Sequence, residues 1–548
     1  MGDQGWGPPG HGGHHIAATL KSLGVSHVFT LTGGHIFPIF DGCQKLDIEL
    51  VDARHEQTAV FAAEGWARLT RSLGVAAVTA GPGVTNAMSA LAQAASNRAP
   101  VLVLAGRAPA FRWGQGSLQE MDHPPFVHPI APAQTVPTTE DIGPLLMAAA
   151  LEALNPPRGP RFLDFPLDAL FNVADLEGSF AFVGPGHDPE AHESMVQAIP
   201  EVARLLERAE RPIIVAGSNV WLDGAEIALV ALAEKAHVPV FMNGQGRGCL
   251  PADHPLAFAR ARSKGMKEAD LVIVAGTPMD FRLGFGQGFA PDAKVVHVDA
   301  GPIAAHVDLA AGLNVSCDVA FDAMQQGVEP NGARTKTWVE ALREFEDAKK
   351  ASVEAELNSE ANPIHPMRIY GELKKVLDRD AIVIGDGGDF VSYAGREVPS
   401  YEPGCWLDPG PFGCLGVGPG YAMAARLAHP DKQVAILYGD GALGFAGMDL
   451  ESLVRLKLPV VCIVGNNGIW GLEKHPMRAL YGYDLVADLR PGIRYDQMME
   501  SFGGHGELVT EPGDIAPALK RAFDSGEPTL VNILTDPDIA YPRSSNLA

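Results

Sequence analysis

The chain has 548 residues, 46% of them hydrophobic, and carries 66 acidic against 42 basic side chains, which gives a net charge of −24. This length is too great for a single core and predicts about three domains. The acidic balance argues against a partner such as nucleic acid or an anionic membrane. The six cysteines contain no C-x-x-C pair, which argues against a zinc site or a disulfide framework and favours a reducing cytoplasm.

The start of the chain is rich in Gly, Pro and His and lacks a long apolar run, so it is not typical of a secretory signal. Later apolar runs such as VLVLAG have the length of a strand and are far too short to span a membrane. His11, His14 and His15 could form a metal-binding tract, but a frayed terminus is the favoured interpretation.

Short runs rich in Val and Ile alternate with Ala-rich helical patterns along the chain, which predicts repeated β-α-β units with parallel sheets. The first block holds the strands VSHVFTL, IELVD, GVAAVTA and APVLVLAG, with helices over residues 56–69 and 84–96. The second block holds RPIIVAG, VPVFMN, DLVIVAG and KVVHVDAG, and the third holds AIVIGDGG, QVAILYGDG, PVVCIVGNN and PTLVNILTD. We therefore expect an α/β protein with three doubly wound, parallel-sheet domains.

The predicted domain bounds are residues 1–175, 190–328 and 363–548. Residues 176–195 carry Gly, Pro, His and acidic side chains, and residues 328–362 combine polar turns with a charged helix. Both stretches are predicted as linkers.

In the first block, three polar residues stand in loops or at helix starts next to strands. Glu56, in DARHEQTAVFAAEGWAR, begins a helix directly after a strand, His35 lies in TLTGGHIFPIFDG, and Gln119 lies in SLQEMD. Taken alone, Glu56 fits equally well as a first-turn acid that interacts with the helix dipole. His35 by itself fits equally well as a solvated loop residue.

The second block and the C-terminal tail contain the candidates for binding a nucleotide or CoA. Asp299 ends the strand KVVHVDAG, where acids suit a ribose. The alternative is a retained dinucleotide fold that binds nothing. On this acidic chain, the basic candidates for phosphate contacts are Arg260, Arg262, Lys264, Arg282 and Arg543.

In the third block, Gly439-Asp440-Gly441 ends one apolar run and Asn466-Asn467 ends the next. Neighbouring parallel strands end at the same carboxyl edge, where ligands bind in open α/β folds. A carboxylate, an amide and a peptide carbonyl suit Mg²⁺ that is bound to a diphosphate. We assign these ligands to Asp440, Asn467 and the backbone of Ile469. A lone G-D-G would favour a plain turn, but its spacing from N-N argues against that.

The segments YGDGALGFAGMDLESL and VVCIVGNNGIWGLEKHP resemble the thiamine diphosphate signature of the acetolactate synthase superfamily, and the likeness extends over nearly the whole chain. The resemblance implies pyrimidine, central and diphosphate domains, and a homodimer as the minimal active unit, often assembled into a tetramer. It implies that Glu56 protonates the aminopyrimidine and faces the Asp440 of a neighbouring subunit. His35 and Gln119 would line the cofactor pocket. The further residues implied for cofactor binding are Gly387, Gly388, Asp389, Leu415, Gly441, Ala442, Trp470, Gly471 and Leu472.

Leu415, in PFGCLGVGPG, would be the bulky residue that bends the cofactor, although an ordinary core leucine is hard to distinguish from it. The stretch ARARSKGMKEADLVIVAGTPMDFRLGFG resembles the 2-hydroxyacyl-CoA lyase and oxalyl-CoA decarboxylase branch. In that branch the central domain holds ADP rather than FAD. We therefore expect ADP here, with FAD as the less favoured nucleotide.

Leu472 and Glu473 stand where the resemblance places an apolar Met-Val pair in acetolactate synthases. A carboxylate there would repel the anionic substrate of a decarboxylase. It would suit a lyase, because cleaving a 2-hydroxyacyl thioester requires removal of the hydroxyl proton. The alternative is an exposed helix acid paired with Lys474 or His475.

The sequence thus predicts a cytoplasmic lyase, dependent on thiamine diphosphate and Mg²⁺, that cleaves a short 2-hydroxyacyl-CoA to formyl-CoA and an aldehyde or ketone. One alternative is an acetolactate synthase, a related 2-oxoacid decarboxylase or an oxalyl-CoA decarboxylase. Another is a non-catalytic nucleotide-binding paralogue, which should have lost Glu56 or Asp440; neither is lost.

Overall fold

The computed structural model describes residues 10–175 and 189–542, with side chains from residue 198 onward in the second range. Arg543 and residues 176–188 of the predicted linker lie outside the described residues. The described residues fall into two compact units. The first unit comprises residues 10–175, 409–430 and 445–458, and the second unit comprises residues 189–408, 431–444 and 459–542.

The N-terminal part of the chain forms the first sheet. Its strands are β1 (Gly10–His11), β2 (His27–Thr30), β3 (Glu49–Asp52), β4 (Gly74–Val78), β5 (Val101–Arg107), β6 (Ala133–Thr135), β7 (Arg161–Pro166) and β8 (Val173–Ala174). Its helices are α1 (Gly12–Ser22), α2 (Phe37–Lys45), α3 (Glu56–Thr70), α4 (Pro82–Ser96), α5 (His123–Val127), α6 (Ile142–Leu154) and α7 (Leu167–Phe171). Six strands pair in parallel in the order β3-β2-β4-β5-β7-β6, and β1 pairs with β8 as an antiparallel ribbon.

The second sheet follows in the chain. Its strands are β9 (Pro212–Ala216), β10 (Val240–Met242), β11 (Ala257–Phe258), β12 (Leu271–Ala275), β13 (Lys294–Val298) and β14 (Ala311–Leu313), in the order β11-β10-β9-β12-β13-β14. The helices of this part are α8 (Pro189–Arg208), α9 (Ser218–Leu222), α10 (Glu226–Ala236), α11 (Arg262–Glu268), α12 (Cys317–Gly327), α13 (Gly332–Ala351) and α14 (Glu354–Leu357).

The third sheet has the strands β15 (Ile382–Asp386), β16 (Trp406–Leu407), β17 (Val434–Gly439), β18 (Val461–Asn466), β19 (His505–Val509) and β20 (Thr529–Leu534), in the order β16-β15-β17-β18-β20-β19. The helices in this part of the chain are α15 (Pro366–Leu373), α16 (Asp389–Glu397), α17 (Gly418–Ala428), α18 (Asp440–Ala446), α19 (Leu450–Arg455), α20 (Gly471–Tyr481), α21 (Tyr495–Ser501) and α22 (Ile515–Asp524), of which α17 and α19 belong to the first unit.

The three parallel sheets confirm the predicted fold class. Central strands such as β4, β5 and β12 are buried along their whole length, as expected for parallel sheets covered by helices on both faces. The predicted neighbours β17 and β18 do pair in parallel, with Gly439 opposite Gly465 at their carboxyl ends.

Two stretches differ from the sequence-based expectation. The charged helix expected in a linker is α13, and it packs on the second sheet: Trp338 is buried and its Nε1 donates to the carbonyl of Pro212 at 3.1 Å. The frayed terminus expected over His11, His14 and His15 is wrong, because α1 begins at Gly12 and buries one face. Among the described residues, no helix combines the length and the apolar character that crossing a bilayer requires.

Candidate active site

The carboxyl ends of β15, β17 and β18 bring three of the predicted polar residues together in the second unit. Asp389 begins α16 after β15, Asp440 begins α18 after β17, and Asn467 follows β18. The Nδ2 of Asn467 lies 3.4 Å from Oδ2 of Asp389. Gly468 N–H donates to Oδ2 of Asp440 at 2.7 Å. The sheet order therefore produces the juxtaposition that the sequence predicted.

Burial controls the chemistry of the two carboxylates. Burial raises the pKa of Asp440 to about 7, although N–H donors from Gly468 and Gly441 act to lower it. Burial likewise raises the pKa of Asp389 to about 6. Buried carboxylates are costly as isolated anions and favourable beside a cation. Carboxylate and amide oxygens are ligands that Mg²⁺ accepts, so these residues fit a magnesium ion.

Asn467 also folds the loop that follows β18. Its Oδ1 accepts from Ile469 N–H at 3.2 Å, and Trp470 N–H donates to the carbonyl of Ala487 at 2.8 Å. These two hydrogen bonds hold the loop after β18 at Ile469 and at Trp470. Coordination by the Ile469 carbonyl stays a prediction.

Glycines line the same edge where no side chain has room. A Cβ on Gly441 would lie 2.5 Å from the Trp470 ring, and one on Gly388 would lie 2.9 Å from Leu472. Gly387 has a φ of +146°, which favours glycine. These glycines expose backbone beside Asp440 and Asp389, which is the kind of surface a diphosphate needs. The residues present therefore fit a metal-bound diphosphate, with Ala442 and Gly471 at the starts of α18 and α20.

Glu473 lies in the first turn of α20, directly after this loop, and is exposed. Its charge is one of the influences that raise the pKa of Asp389, after burial. Lys474, an expected partner, contacts Asp484 at 3.4 Å and also pairs with Asp488. Within the described ranges Glu473 forms no ion pair, so its carboxylate is available to a ligand.

In the first unit, Glu56 begins α3 and is 7% exposed. The Nδ2 of Asn86 donates to Oε2 of Glu56 at 3.0 Å. Asp449 was not predicted, yet its carboxylate accepts from Arg54 N–H at 2.6 Å and from the Thr58 hydroxyl at 2.7 Å. These two bonds flank Glu56 along the chain. Asp449 is therefore a positioning residue for the first turn of α3.

His35 and Gln119, the two residues of the first unit that were predicted to line the cofactor pocket, share Thr79 as a neighbour. His35 Nδ1 lies 3.3 Å from the Thr79 hydroxyl, which in turn lies 3.4 Å from Oε1 of Gln119. His35 is buried, and burial lowers its pKa. Gln119 has a φ of +56°, a conformation that is uncommon outside glycine and marks a constrained loop. The structure thus brings His35 and Gln119 together through Thr79.

A buried network that the sequence did not indicate supports this loop. His123 Nε2 accepts from Gly81 N–H at 3.0 Å, and His123 Nδ1 lies 2.9 Å from Asp164. Arg107 donates to the same Asp164 oxygen at 2.8 Å. A Cβ on Gly81, whose φ is +56°, would lie 3.0 Å from the carbonyl oxygen of Gln119. His123 therefore fixes the backbone against which Gln119 packs.

Leu415 also belongs to the first unit, where it is half-buried between Gly413 and Gly416. Both glycines have positive φ values, +73° and +85°. The backbone therefore turns on each side of Leu415. Its role as the residue that bends the cofactor stays a prediction.

The nucleotide candidates lie in the second unit and are engaged with protein groups. Arg262 is half-buried and donates to Asn243 Oδ1 at 2.6 Å, and burial lowers its pKa to about 10. Arg282 pairs with Asp280 at 2.7 Å, and Lys264 pairs with Glu268 at 2.8 Å along α11. Asp299 follows β13, is fully buried, and accepts from Gly301 N–H at 2.7 Å. Their nucleotide-binding roles stay predictions.

Arg260 lines a cavity of about 380 Å³ within the second unit. Five of the lining side chains are basic and three are acidic: Arg247, Arg260, Lys350, Lys374 and Arg396 against Asp253, Glu346 and Glu397. Arg260 pairs with the buried Glu397. The excess of cationic side chains stands out on a chain with a net charge of −24.

Three family models match the chain in order: the thiamine pyrophosphate enzyme N-terminal TPP binding domain over residues 10–126, the central domain over residues 199–326, and the C-terminal TPP binding domain over residues 386–533. A Mycobacterium bovis protein named probable acetolactate synthase is 52% identical over 544 residues, covering 98% of each chain. Proteins named 2-hydroxyacyl-CoA lyase 2 from Caenorhabditis elegans and Homo sapiens are each 34% identical, covering 96% of this chain and 89% and 90% of theirs.

Proposed function

We propose that this chain, which belongs to the thiamine pyrophosphate enzyme family and is thus an enzyme that uses thiamine diphosphate, is a carbon–carbon lyase. Its proposed substrate is a short 2-hydroxyacyl-CoA, for example 2-hydroxyisobutyryl-CoA. The products are formyl-CoA and an aldehyde or ketone, and the reaction can run in reverse. The position of Glu473 carries this proposal.

Cleavage breaks the bond between C1 and C2 of the acyl group. The C2 hydroxyl loses its proton and becomes a carbonyl, while C1 gains a proton and becomes the formyl group. Thiamine diphosphate, when bound, supplies the electron sink at C1. Glu473 accepts the hydroxyl proton, and Glu56 holds a proton at the aminopyrimidine ring. Asp440, Asn467 and the carbonyl of Ile469 would hold Mg²⁺.

A carboxylate suits some substrates better than others at the position of Glu473. It is exposed in the first turn of α20, next to the loop of Asn467, and its charge acts on Asp389. A 2-oxoacid would bring a second negative charge to this place and be repelled. A 2-hydroxyacyl thioester is uncharged at its reacting end and offers a hydroxyl proton to a base.

The basic cavity around Arg260 supports a substrate that carries phosphate groups. Lys350 and Lys374 belong to the same lining. Burial lowers the pKa of Lys374, so an anion placed beside it would be stabilised. We propose that this cavity takes the phosphates of CoA, with Arg260 among the contacts.

Acetolactate synthase is the second candidate, and the names of the relatives favour it in part. The Mycobacterium bovis protein at 52% identity carries that name, while the proteins at 34% identity carry the lyase name. Because the two sets of names differ, they do not choose between the reactions. A non-catalytic paralogue is disfavoured, because Glu56 and Asp440 are both present and both buried.

The remaining parts of the proposal concern the bound nucleotide, the oligomeric state and the cellular compartment. We propose ADP in the second sheet near Asp299, and a homodimer as the minimal active unit with a tetramer as the larger assembly. Cys43, Cys249, Cys317, Cys405, Cys414 and Cys462 are free thiols, which suits the reducing cytoplasm.

The test supplies purified enzyme, thiamine diphosphate and Mg²⁺ with either 2-hydroxyisobutyryl-CoA or pyruvate. We expect acetone and formyl-CoA from the first substrate and no acetolactate from the second. Formation of acetolactate from pyruvate, without acetone from 2-hydroxyisobutyryl-CoA, would contradict the lyase and identify a synthase. An absorption spectrum of the same preparation distinguishes the nucleotides, because a flavin band contradicts ADP.

A further inference from the structure

Two histidines and an aspartate of the first unit form a compact cluster that the proposed reaction does not use. His11 precedes α1, His14 lies in its first turn, and Asp41 lies on α2. One ligand atom from each of the three lies within 4.8 Å of the others. Oδ2 of Asp41 is 2.9 Å from Nε2 of His11 and 2.9 Å from Nε2 of His14.

We propose that His11, His14 and Asp41 bind a divalent transition-metal ion such as Zn²⁺ or Co²⁺. Two imidazole nitrogens and one carboxylate oxygen are ligands that these ions favour, whereas Mg²⁺ favours oxygen alone. Ligand atoms about 2 Å from one ion lie roughly 3 Å from each other. The separations between Asp41 and each imidazole already meet that requirement, and water would complete the coordination.

Two glycines hold the helices that carry the ligands in backbone contact. A Cβ on Gly13 would lie 1.7 Å from the carbonyl oxygen of Pro38, and a Cβ on Gly42 would lie 2.1 Å from the carbonyl oxygen of Gly13. Gly13 precedes His14 in the chain, and Gly42 follows Asp41. The close crossing of α1 and α2 therefore fixes the spacing between His14 and Asp41, which reduces the conformational entropy lost on binding an ion.

A cation already lies between two of the ligands. The Nζ of Lys45 is 2.9 Å from Oδ2 of Asp41 and 3.1 Å from Nε2 of His14. Nε2 of His14 can accept from Lys45 or, in the other tautomer, donate to Oδ2 of Asp41 at 2.9 Å; metal coordination requires the accepting state. The Lys45 side chain is 57% exposed and can withdraw into solvent. Lys45 is therefore a competitor of the ion.

Metal coordination through Nε2 of His11 would cost one hydrogen bond. Its Nδ1 accepts from Gly13 N–H at 3.1 Å and caps α1. A neutral imidazole bound through Nε2 carries its proton on Nδ1 and cannot keep this bond. Binding therefore exchanges one capping hydrogen bond for a metal–nitrogen bond.

The experiment titrates Zn²⁺ into the full-length enzyme saturated with Mg²⁺ and thiamine diphosphate, followed by calorimetry, with Co²⁺ absorption as a second probe. We expect His14→Ala and Asp41→Asn to weaken binding by about 10–100-fold or more. We expect Lys45→Ala to strengthen it by about fivefold, because a nearby positive charge is removed. Matched variants His128→Ala and Lys21→Ala, both outside the cluster, should bind as the wild type does.

Equal affinity in wild type and His14→Ala, or an equal loss in His128→Ala, would overturn the site. Circular dichroism and thermal unfolding check that each variant is folded. Should His14→Ala fail that check, Lys45→Ala still decides, because it keeps all three ligands: unchanged or weaker Zn²⁺ binding in that variant contradicts the proposal.

Discussion

Single residues at the carboxyl edge of the third sheet combine burial with charge. Asp440 and Asp389 are 3% and 8% exposed, and both have a raised pKa. The amide of Asn467 stands between them and the loop that leads to Glu473. Side chains in such a setting gain from a cation and are expensive without one. The residues proposed to hold the cofactor and the residue proposed to accept the substrate proton are thus close in the chain.

Glu56→Gln should abolish turnover while changing the affinity for thiamine diphosphate by no more than about tenfold, or 1.4 kcal/mol. The amide keeps the shape of the side chain but has no acidic proton to share, whereas the metal-bound diphosphate dominates binding. Steady-state kinetics and cofactor titration measure the two effects. The control is Glu49→Gln on the exposed side of β3, which should retain activity. Full activity in Glu56→Gln would refute the activating role.

Glu473→Gln should slow cleavage far more than it weakens binding of the acyl-CoA. A glutamine cannot accept the hydroxyl proton, but it preserves the length and polarity of the side chain. Separate measurement of kcat and of the dissociation constant for the substrate tests this. Glu500→Gln, an exposed acid on α21, is the matched control. Equal losses in rate and in binding would indicate a structural role for Glu473.

At the scale of elements, the position of Glu56 depends on how α3 packs. α17 lies against α3 within the first unit, and Gly420 permits the approach. A Cβ at Gly420 would lie 2.8 Å from Cβ of Phe61 and 2.8 Å from the carbonyl oxygen of Thr58. The contact falls in the first turns of the helix that Glu56 begins, so packing and site are coupled there.

Gly420→Ala should therefore destabilise the protein by about 1–3 kcal/mol, the usual cost of overpacking, and lower turnover. Gly65→Ala, where the added Cβ would meet Tyr421 at 3.0 Å, should be milder. Chemical denaturation and kinetics measure both changes. Gly513→Ala, which has open space around it, is the control and should be neutral. A neutral Gly420→Ala would show that α17 and α3 can separate without cost.

The elements that the sequence did not predict are mostly sheet edges. The second sheet adds β11 and β14 at its two edges, and the third sheet adds β16 and β19. An edge strand pairs on one side only, so it can be short and partly exposed, and it then lacks the apolar run that identifies a central strand. Central strands matched the predicted runs for the opposite reason, except β7 of the first sheet, which lies between β5 and β6 and was not predicted.

At the scale of the whole molecule, cofactor binding should stabilise the folded chain. Adding thiamine diphosphate with Mg²⁺ at 100 times the dissociation constant should stabilise it by about 2.7 kcal/mol and raise Tm, because the ligands bind the native state only. Asp440→Asn should remove most of that rise, since it removes the buried carboxylate that the cation requires. Thermal unfolding monitors the change. The control is Asp514→Asn at the exposed surface, and an undiminished rise in Asp440→Asn would contradict the metal role.

The family resemblance and the meeting of Asp440 with the Asn467 loop could both be predicted from the amino-acid sequence, and the three family models confirm the family. Both depend on local patterns: apolar runs define neighbouring parallel strands, and strand ends define a sheet edge. The same reasoning placed Glu56 at a helix start but gave no information on what surrounds it.

Other contacts between distant polar residues became visible only in the folded chain. Asp449 reaches the turn of Glu56, His123 joins Asp164 beneath the Gln119 loop, and His14 meets Asp41 across two helices. Isolated His and Asp residues carry no periodic signal, and their partners are set by close helix packing and by sheet order. Such contacts arise from packing between elements, which local sequence does not encode.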